Sequence, residues 1–127
     1  MKEAPRYCMV LTALTGAAAV VLGALGAHAL EDVLAAGGYI PAWKTASTYH
    51  IIHAVVLLIL ARWHPVPLKR WWLLLVGVWL FSGSIYLLCL TSWKWLGPVT
   101  PIGGTLLIIG WVSLGFGCKI NYPAQKT

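Results

Sequence analysis

The sequence predicts an all-α integral membrane protein, a bundle of four transmembrane helices that run up, down, up and down. Of its 127 residues, 60% are hydrophobic and only 9% are charged, whereas soluble domains average about 25% charged residues. Its mean hydropathy is +0.81. Three charge-free windows and a shorter fourth approach or exceed the roughly 20 residues that cross about 30 Å of hydrocarbon. A helix satisfies its own backbone polar groups in lipid, so we expect each window to be helical.

The windows place the elements in order along one membrane domain, residues 1–127. The charge-free windows are residues 7–30, 45–61, 71–93 and 95–118. The helices predicted from them cover approximately residues 7–30, 44–62, 71–92 and 100–119.

The first window also has features of a cleaved signal peptide. Lys2 and Arg6 precede it, and Ala27, His28 and Ala29 have the small-x-small form of a cleavage site. A signal peptide has an apolar core of only about 7 to 15 residues, shorter than this window. We therefore expect a retained membrane span.

Basic residues predict the orientation, because Lys and Arg near helix ends stay on the cytoplasmic side. With four spans, one side holds most of them: Lys2, Arg6, Arg62, Lys69, Arg70, Lys119 and Lys126. The other side holds only Lys44 and Lys94. Both termini are thus predicted to be cytoplasmic, and the loops at 31–43 and 92–99 to face outward. The charge of +6 fits anionic inner-leaflet lipid rather than nucleic acid.

Tryptophans are predicted at both membrane boundaries, where amphipathic rings settle among headgroups. Those at the inner boundary are Trp63, Trp71 and Trp72, and those at the outer boundary are Trp43, Trp93 and Trp95. The three cysteines, Cys8, Cys89 and Cys118, lie in apolar helices without metal-ligand spacing and are predicted to be small core residues.

Small residues form regular faces on the first and fourth spans. They are Ala19, Gly23 and Ala27 on the first, and Gly103, Gly110 and Gly117, with Ser113, on the fourth. Such faces let helix backbones approach closely. They indicate either packing within the bundle or docking of another protein's helix or a lipid tail.

Polar side chains gather toward the predicted outer face and form a candidate ligand site. They are His28, Tyr49, His50, His53, Ser82, Ser84, Tyr86 and Thr100. Residues three apart share a helix face, so His50 and His53 are expected to lie together, with His28 at the same level. Three imidazoles in a bundle can bind zinc, copper or haem iron. The same residues can instead serve as hydrogen bonds between helices, each worth about 0.6 to 2 kcal/mol.

Four motifs indicate a resemblance to a known family. They are residues 23–30 (GALGAHAL), 43–54 with Trp43, Thr45, Tyr49 and His53, 81–86 (FSGSIY) and 100–104 (TPIGG). In this order they resemble the YgdD-like family, small bacterial inner-membrane proteins also known as domain of unknown function 423 and similar to a small eukaryotic transmembrane protein. The resemblance implies the four-helix membrane fold and no reaction, ligand or catalytic residue. It implies only His28 and His53 as shared histidines, since the family more often has glutamine at the position of His50.

Two functional hypotheses follow. The first is a non-enzymatic protein of the inner membrane that binds lipid, a partner membrane protein or further copies of itself through its small-residue faces. The second is a protein that binds a metal, haem or quinone through the histidine and tyrosine layer. No Ser, His and Asp are placed as a hydrolase triad, so no catalytic residue is predicted.

Overall fold

The structure is a computed structural model that describes residues 5–117, and all regular structure in this range is helical. Four helices are long and apolar enough to cross a membrane, as the sequence predicts. The helices are α1 (Arg6–Ala27), α2 (Glu31–Gly37), α3 (Ile40–Arg62), α4 (Leu68–Thr91) and α5 (Val99–Gly117), with one 3-10 turn at Lys94–Leu96. The predicted end of the last helix at residue 119 lies outside the described residues, as do Lys2, Cys118, Lys119 and Lys126.

The connection between the first two spans contains a helix that the sequence analysis missed. α1 ends at Ala27, and the short α2 begins with Glu31 and Asp32, whose charges suit a helix N-terminus. Gly38 ends α2 with φ of 71°, a conformation that glycine adopts without steric cost. A helix of seven residues is too short to be recognised as a membrane span from the sequence. The prediction that residues 31–43 form a loop is therefore wrong for the residues of α2.

Prolines mark the starts of the long helices. α3 begins at Ile40, four residues earlier than predicted, because Pro41 lies in its first turn, where a missing N–H costs nothing. Pro67 directly precedes α4. The short connections make consecutive spans antiparallel, and the four-helix up-down-up-down bundle is confirmed.

α3 and α4 form the centre of the bundle. α1 packs mainly on α3, α3 on α4, and α4 on α5. α1 and α5, the two helices at the sides of the bundle, therefore pack against different members of the central pair. Each leaves one side uncovered within the chain, which positions the groove described below.

Two apolar clusters fill the bundle, one toward each end. The first surrounds Trp71, Leu74 and Val78, and the second surrounds Trp43 and Tyr86. The two tryptophans were predicted at the membrane boundaries, but Trp71 is 0% and Trp43 2% exposed. Both indoles donate hydrogen bonds to groups inside the bundle, so their rings pack against helices, and their depth in the membrane stays a prediction. By contrast, Trp72, Trp93 and Trp95 are exposed.

The small-residue face of α5 is used within the chain. Gly103 and Gly110 are buried against α4, and a Cβ atom on Gly110 would lie 2.5 Å from a methyl carbon of Leu74. Gly117 leaves room for the guanidinium of Arg70, whose Nε–H donates to the Ser113 carbonyl. This face therefore holds α5 on α4 and is not free for a partner. The cysteines that the structure describes, Cys8 and Cys89, are free and buried.

Candidate functional site

The eight predicted site residues do not meet in one layer. His28 is exposed just beyond the end of α1. His50 and His53 are buried near the middle of the 23-residue α3, and His50 lies about 15 Å along the helix from Ile40. Within residues 5–117, no group of three His, Cys, Asp or Glu side chains is placed to hold a metal ion.

His53 has both ring nitrogens bonded. Its Nδ1–H donates to the Tyr49 carbonyl at 2.7 Å, and its Nε2 accepts from the Trp111 indole at 3.0 Å. These partners assign the neutral tautomer with its proton on Nδ1. His53 therefore has no free nitrogen for a ligand and instead joins α3 to α5.

His50 points toward α4. Its Nδ1 lies 3.2 Å from the Tyr86 hydroxyl oxygen, and the Trp79 ring packs edge-on against the imidazole. The Thr15 backbone lies near the ring. Nε2 is buried and makes no hydrogen bond within the described part of the chain.

The remaining candidates form further bonds between helices. The Ser82 hydroxyl donates to the Ala46 carbonyl at 2.8 Å and joins α4 to α3. The Ser84 and Thr100 hydroxyl oxygens lie 2.6 Å apart and join α4 to α5. Tyr49 is 44% exposed and packs against His53 and Phe81. Apart from His28 and Tyr49, the candidates thus make hydrogen bonds between neighbouring helices.

Sequence reasoning missed the bonds that attach α1 to α4. The Trp71 indole donates to the Thr12 hydroxyl at 3.2 Å, and the Trp79 indole donates to the Thr15 hydroxyl at 3.1 Å. Thr12 and Thr15 are three residues apart and share a face of α1, a spacing visible in the sequence. A buried indole N–H requires an acceptor, and the two threonines are the polar residues that supply it.

An open groove runs between α1 and α3, and we call it the α1–α3 groove. A cavity of about 250 Å³ lies toward the α2 end, and a second of about 320 Å³ continues toward the bundle middle. Three residues line both cavities: Gly23, Ser47 and Thr48. A Cβ atom on Gly23 would meet nothing within 4 Å. The small-residue face of α1 is therefore not filled at this position.

Ser47 is the unusual residue in the groove wall. Thr45 and Thr48 beside it each donate a hydrogen bond to a carbonyl one turn earlier in α3. The Ser47 hydroxyl oxygen is buried and makes no well-formed hydrogen bond within residues 5–117, and its nearest polar neighbour is the Tyr86 hydroxyl, which lies within range of a weak one. A polar group buried with no partner at all costs about 1 to 3 kcal/mol, so a partner with better geometry than Tyr86 would stabilise the Ser47 hydroxyl.

A second groove, on α4, lacks such a group. It has a volume of about 440 Å³ and is lined almost entirely by apolar side chains. Its polar members are Ser84 and Tyr86, whose hydroxyls bond Thr100 and His50. Of these two grooves, only the α1–α3 groove has an unused polar group in its wall.

Comparison with known proteins identifies the family to which this chain belongs. Residues 22–104 match the family described as "Protein of unknown function (DUF423)". The chain belongs to this family. A UPF0382 membrane protein of Staphylococcus saprophyticus is 42% identical over 86% of the chain and 93% of its own length. Similar proteins of Schizosaccharomyces pombe and Bacillus subtilis are 39% and 37% identical, over 82% and 84% of the chain and 94% and 90% of their own lengths.

No solved structure matches this DUF423 chain. The names of its relatives and its four apolar helices identify a multi-pass membrane protein, in agreement with the predicted location in a bacterial inner membrane. The family match includes α2, α3 and α4 completely. It therefore includes the wall of the α1–α3 groove formed by α3, and Gly23 opposite.

Proposed function

We propose that this DUF423 protein is a non-enzymatic membrane protein that holds a membrane lipid in the α1–α3 groove. The observation that carries the proposal is the unbonded Ser47 hydroxyl in the wall of a groove that Gly23 leaves open. Ser47 is partly exposed on the groove, and rotation of its side chain between staggered rotamers can turn the hydroxyl toward an occupant.

A lipid suits the groove better than a helix of another protein. A helix of another protein could offer Ser47 a backbone carbonyl, as Ala46 does to Ser82, but only where small residues let the two helices approach closely. A lipid carries ester or headgroup oxygens next to a flexible apolar chain. The groove has its polar and apolar groups in the same order as a lipid. A hydroxyl lies beside Gly23, and the apolar Ala19, Val20 and Ile51 lie deeper along the groove.

The alternative, a metal, haem or quinone in the histidine layer, has less support. His53 already bonds Tyr49 and Trp111 through its two ring nitrogens. His50 retains one unbonded nitrogen, but it lines neither cavity of the α1–α3 groove nor the groove on α4. The hydroxyls and imidazoles of the predicted layer mainly connect helices, and this use favours a structural role.

Filling the groove tests the proposal. Leucine at position 23 meets no neighbouring atom at its Cβ and projects into the groove, so Gly23→Leu should displace a lipid. Gly115→Leu is the matched control, because a Cβ atom on Gly115 would also meet nothing within 4 Å but would lie on α5, away from the groove. Native mass spectrometry of protein released from mild detergent counts the lipids retained on each variant.

Retained lipid on the wild type and Gly115→Leu, and its loss from Gly23→Leu, would support the proposal. Equal retention on all three would overturn it. A lipid-free protein whose homo-oligomer or complex with another membrane protein dissociates only in Gly23→Leu would also overturn it, and would show that the groove docks a helix.

A further inference from the structure

The mouth of the α1–α3 groove carries a positive charge. Lys44 lines the cavity at the α2 end and is exposed. None of the described residues that line either cavity of the groove is acidic. Glu31 and Asp32 lie in the first turn of α2 outside the lining. An anionic group entering the mouth thus meets the Lys44 cation and no carboxylate among the lining residues.

The N-terminus of α3 adds to this charge. Ile40, its first residue, lines the same cavity. The aligned peptide dipoles of a long helix place a partial positive charge at its N-terminus, which favours a nearby anion. Lys44 lies about one turn into α3, so the side-chain charge and the helix dipole act on the same volume.

Lys44 and Ser47 are spaced along one face of α3. Residues three and four apart on a helix share a face, so Lys44, Ser47 and Thr48 follow one another down the groove wall. The rise from Lys44 to Ser47 is about 4.5 Å. A cation followed one turn deeper by an unbonded hydroxyl is complementary to a phosphate followed by the ester oxygens of the same lipid.

We infer that the occupant of the groove is a glycerophospholipid whose phosphate binds Lys44 and whose ester oxygen accepts a hydrogen bond from Ser47. This inference rests on the proposed function. The acyl chain lies against Gly23 and then between Val20 and Ile51. A neutral lipid such as diacylglycerol satisfies Ser47 but leaves Lys44 without a partner.

Two probes with identical acyl chains separate these contributions. Delipidated full-length protein is titrated with dioleoyl-phosphatidylglycerol and with dioleoylglycerol, and native mass spectrometry measures the bound fraction. We expect Lys44→Gln to weaken phosphatidylglycerol binding about fivefold, the factor to which about 1 kcal/mol per lysine corresponds, without changing dioleoylglycerol binding. Ser47→Ala should weaken both. Lys94→Gln is the control, because Lys94 also lies toward the α2 end but does not line the groove.

The outcomes distinguish the inference from the function. If both lipids bind equally and Lys44→Gln changes neither, the phosphate assignment is overturned while lipid binding stands. If Lys94→Gln weakens phosphatidylglycerol as much as Lys44→Gln does, attraction is by general surface charge and the assignment also fails. If neither lipid binds the wild type, both the inference and the proposed function fail.

Discussion

Gly103 lies where the backbone of α4 comes very close to α5, and we expect Gly103→Ala to destabilise the bundle. A Cβ atom there would overlap the Phe81 backbone nitrogen and lie 2.8 Å from the carbonyl carbon of Leu80. Backbone cannot rotate away as a side chain can. The two helices must therefore separate by about 1 Å to reach ordinary contact distance, which loosens the whole α4–α5 interface.

The size of the effect follows from two opposing terms. Overpacking a close interface costs about 1 to 3 kcal/mol, and contact with backbone places Gly103→Ala toward the upper end. Replacing glycine with alanine in a helix returns about 0.5 to 1 kcal/mol. We expect the free energy of unfolding to fall by about 2 kcal/mol.

Gly104→Ala provides the matched control one residue away. A Cβ atom on Gly104 would lie 3.6 Å from the Phe81 ring, an ordinary contact, so this variant should be unchanged or up to about 1 kcal/mol more stable. Unfolding of both variants by SDS in mild-detergent micelles, followed by circular dichroism, measures the difference. Equal stability of Gly103→Ala and Gly104→Ala would show that α4 and α5 do not meet at Gly103.

Two further predictions concern the histidines and the orientation. His53→Ala removes the acceptor of the Trp111 indole and should lower the free energy of unfolding by about 1 to 3 kcal/mol, whereas His28→Ala, at an exposed site, should change it by less than about 0.5 kcal/mol; similar losses in SDS unfolding would contradict the contacts assigned to His53. Both termini are predicted to be cytoplasmic, so a C-terminal alkaline phosphatase fusion should be inactive and a green fluorescent protein fusion fluorescent, and the reverse pattern would invert the topology.

The membrane spans could be predicted from the sequence because they depend on composition alone. A charge-free window of span length has no stable alternative to a helix in lipid, and this argument does not require knowledge of the neighbours. The short α2 escaped it, because seven residues carry too little hydrophobic pattern to separate a helix from a loop.

The arrangement of the site could not be predicted in the same way. Residues three apart on a helix point about 60° apart around its axis. In this bundle, that angle directs His50 to Tyr86 on α4 and His53 to Trp111 on α5. Helical spacing shows that two side chains share a face, but the packing order of the other helices decides which partner each one meets.

The hydrogen bonds of Thr15, His53 and Ser84 suggest a sequence for the assembly of the chain in the bilayer. Each of these side chains donates to a carbonyl of its own helix, on Leu11, Tyr49 and Phe81 respectively. Each also contacts a polar group on a different helix. Their N–H and O–H donors are thus bonded while each helix is still alone in lipid. Only their acceptor lone pairs remain unbonded until the neighbouring helix packs against them. Insertion and association can then occur as separate steps, and these three residues enter hydrocarbon without an unpaired proton.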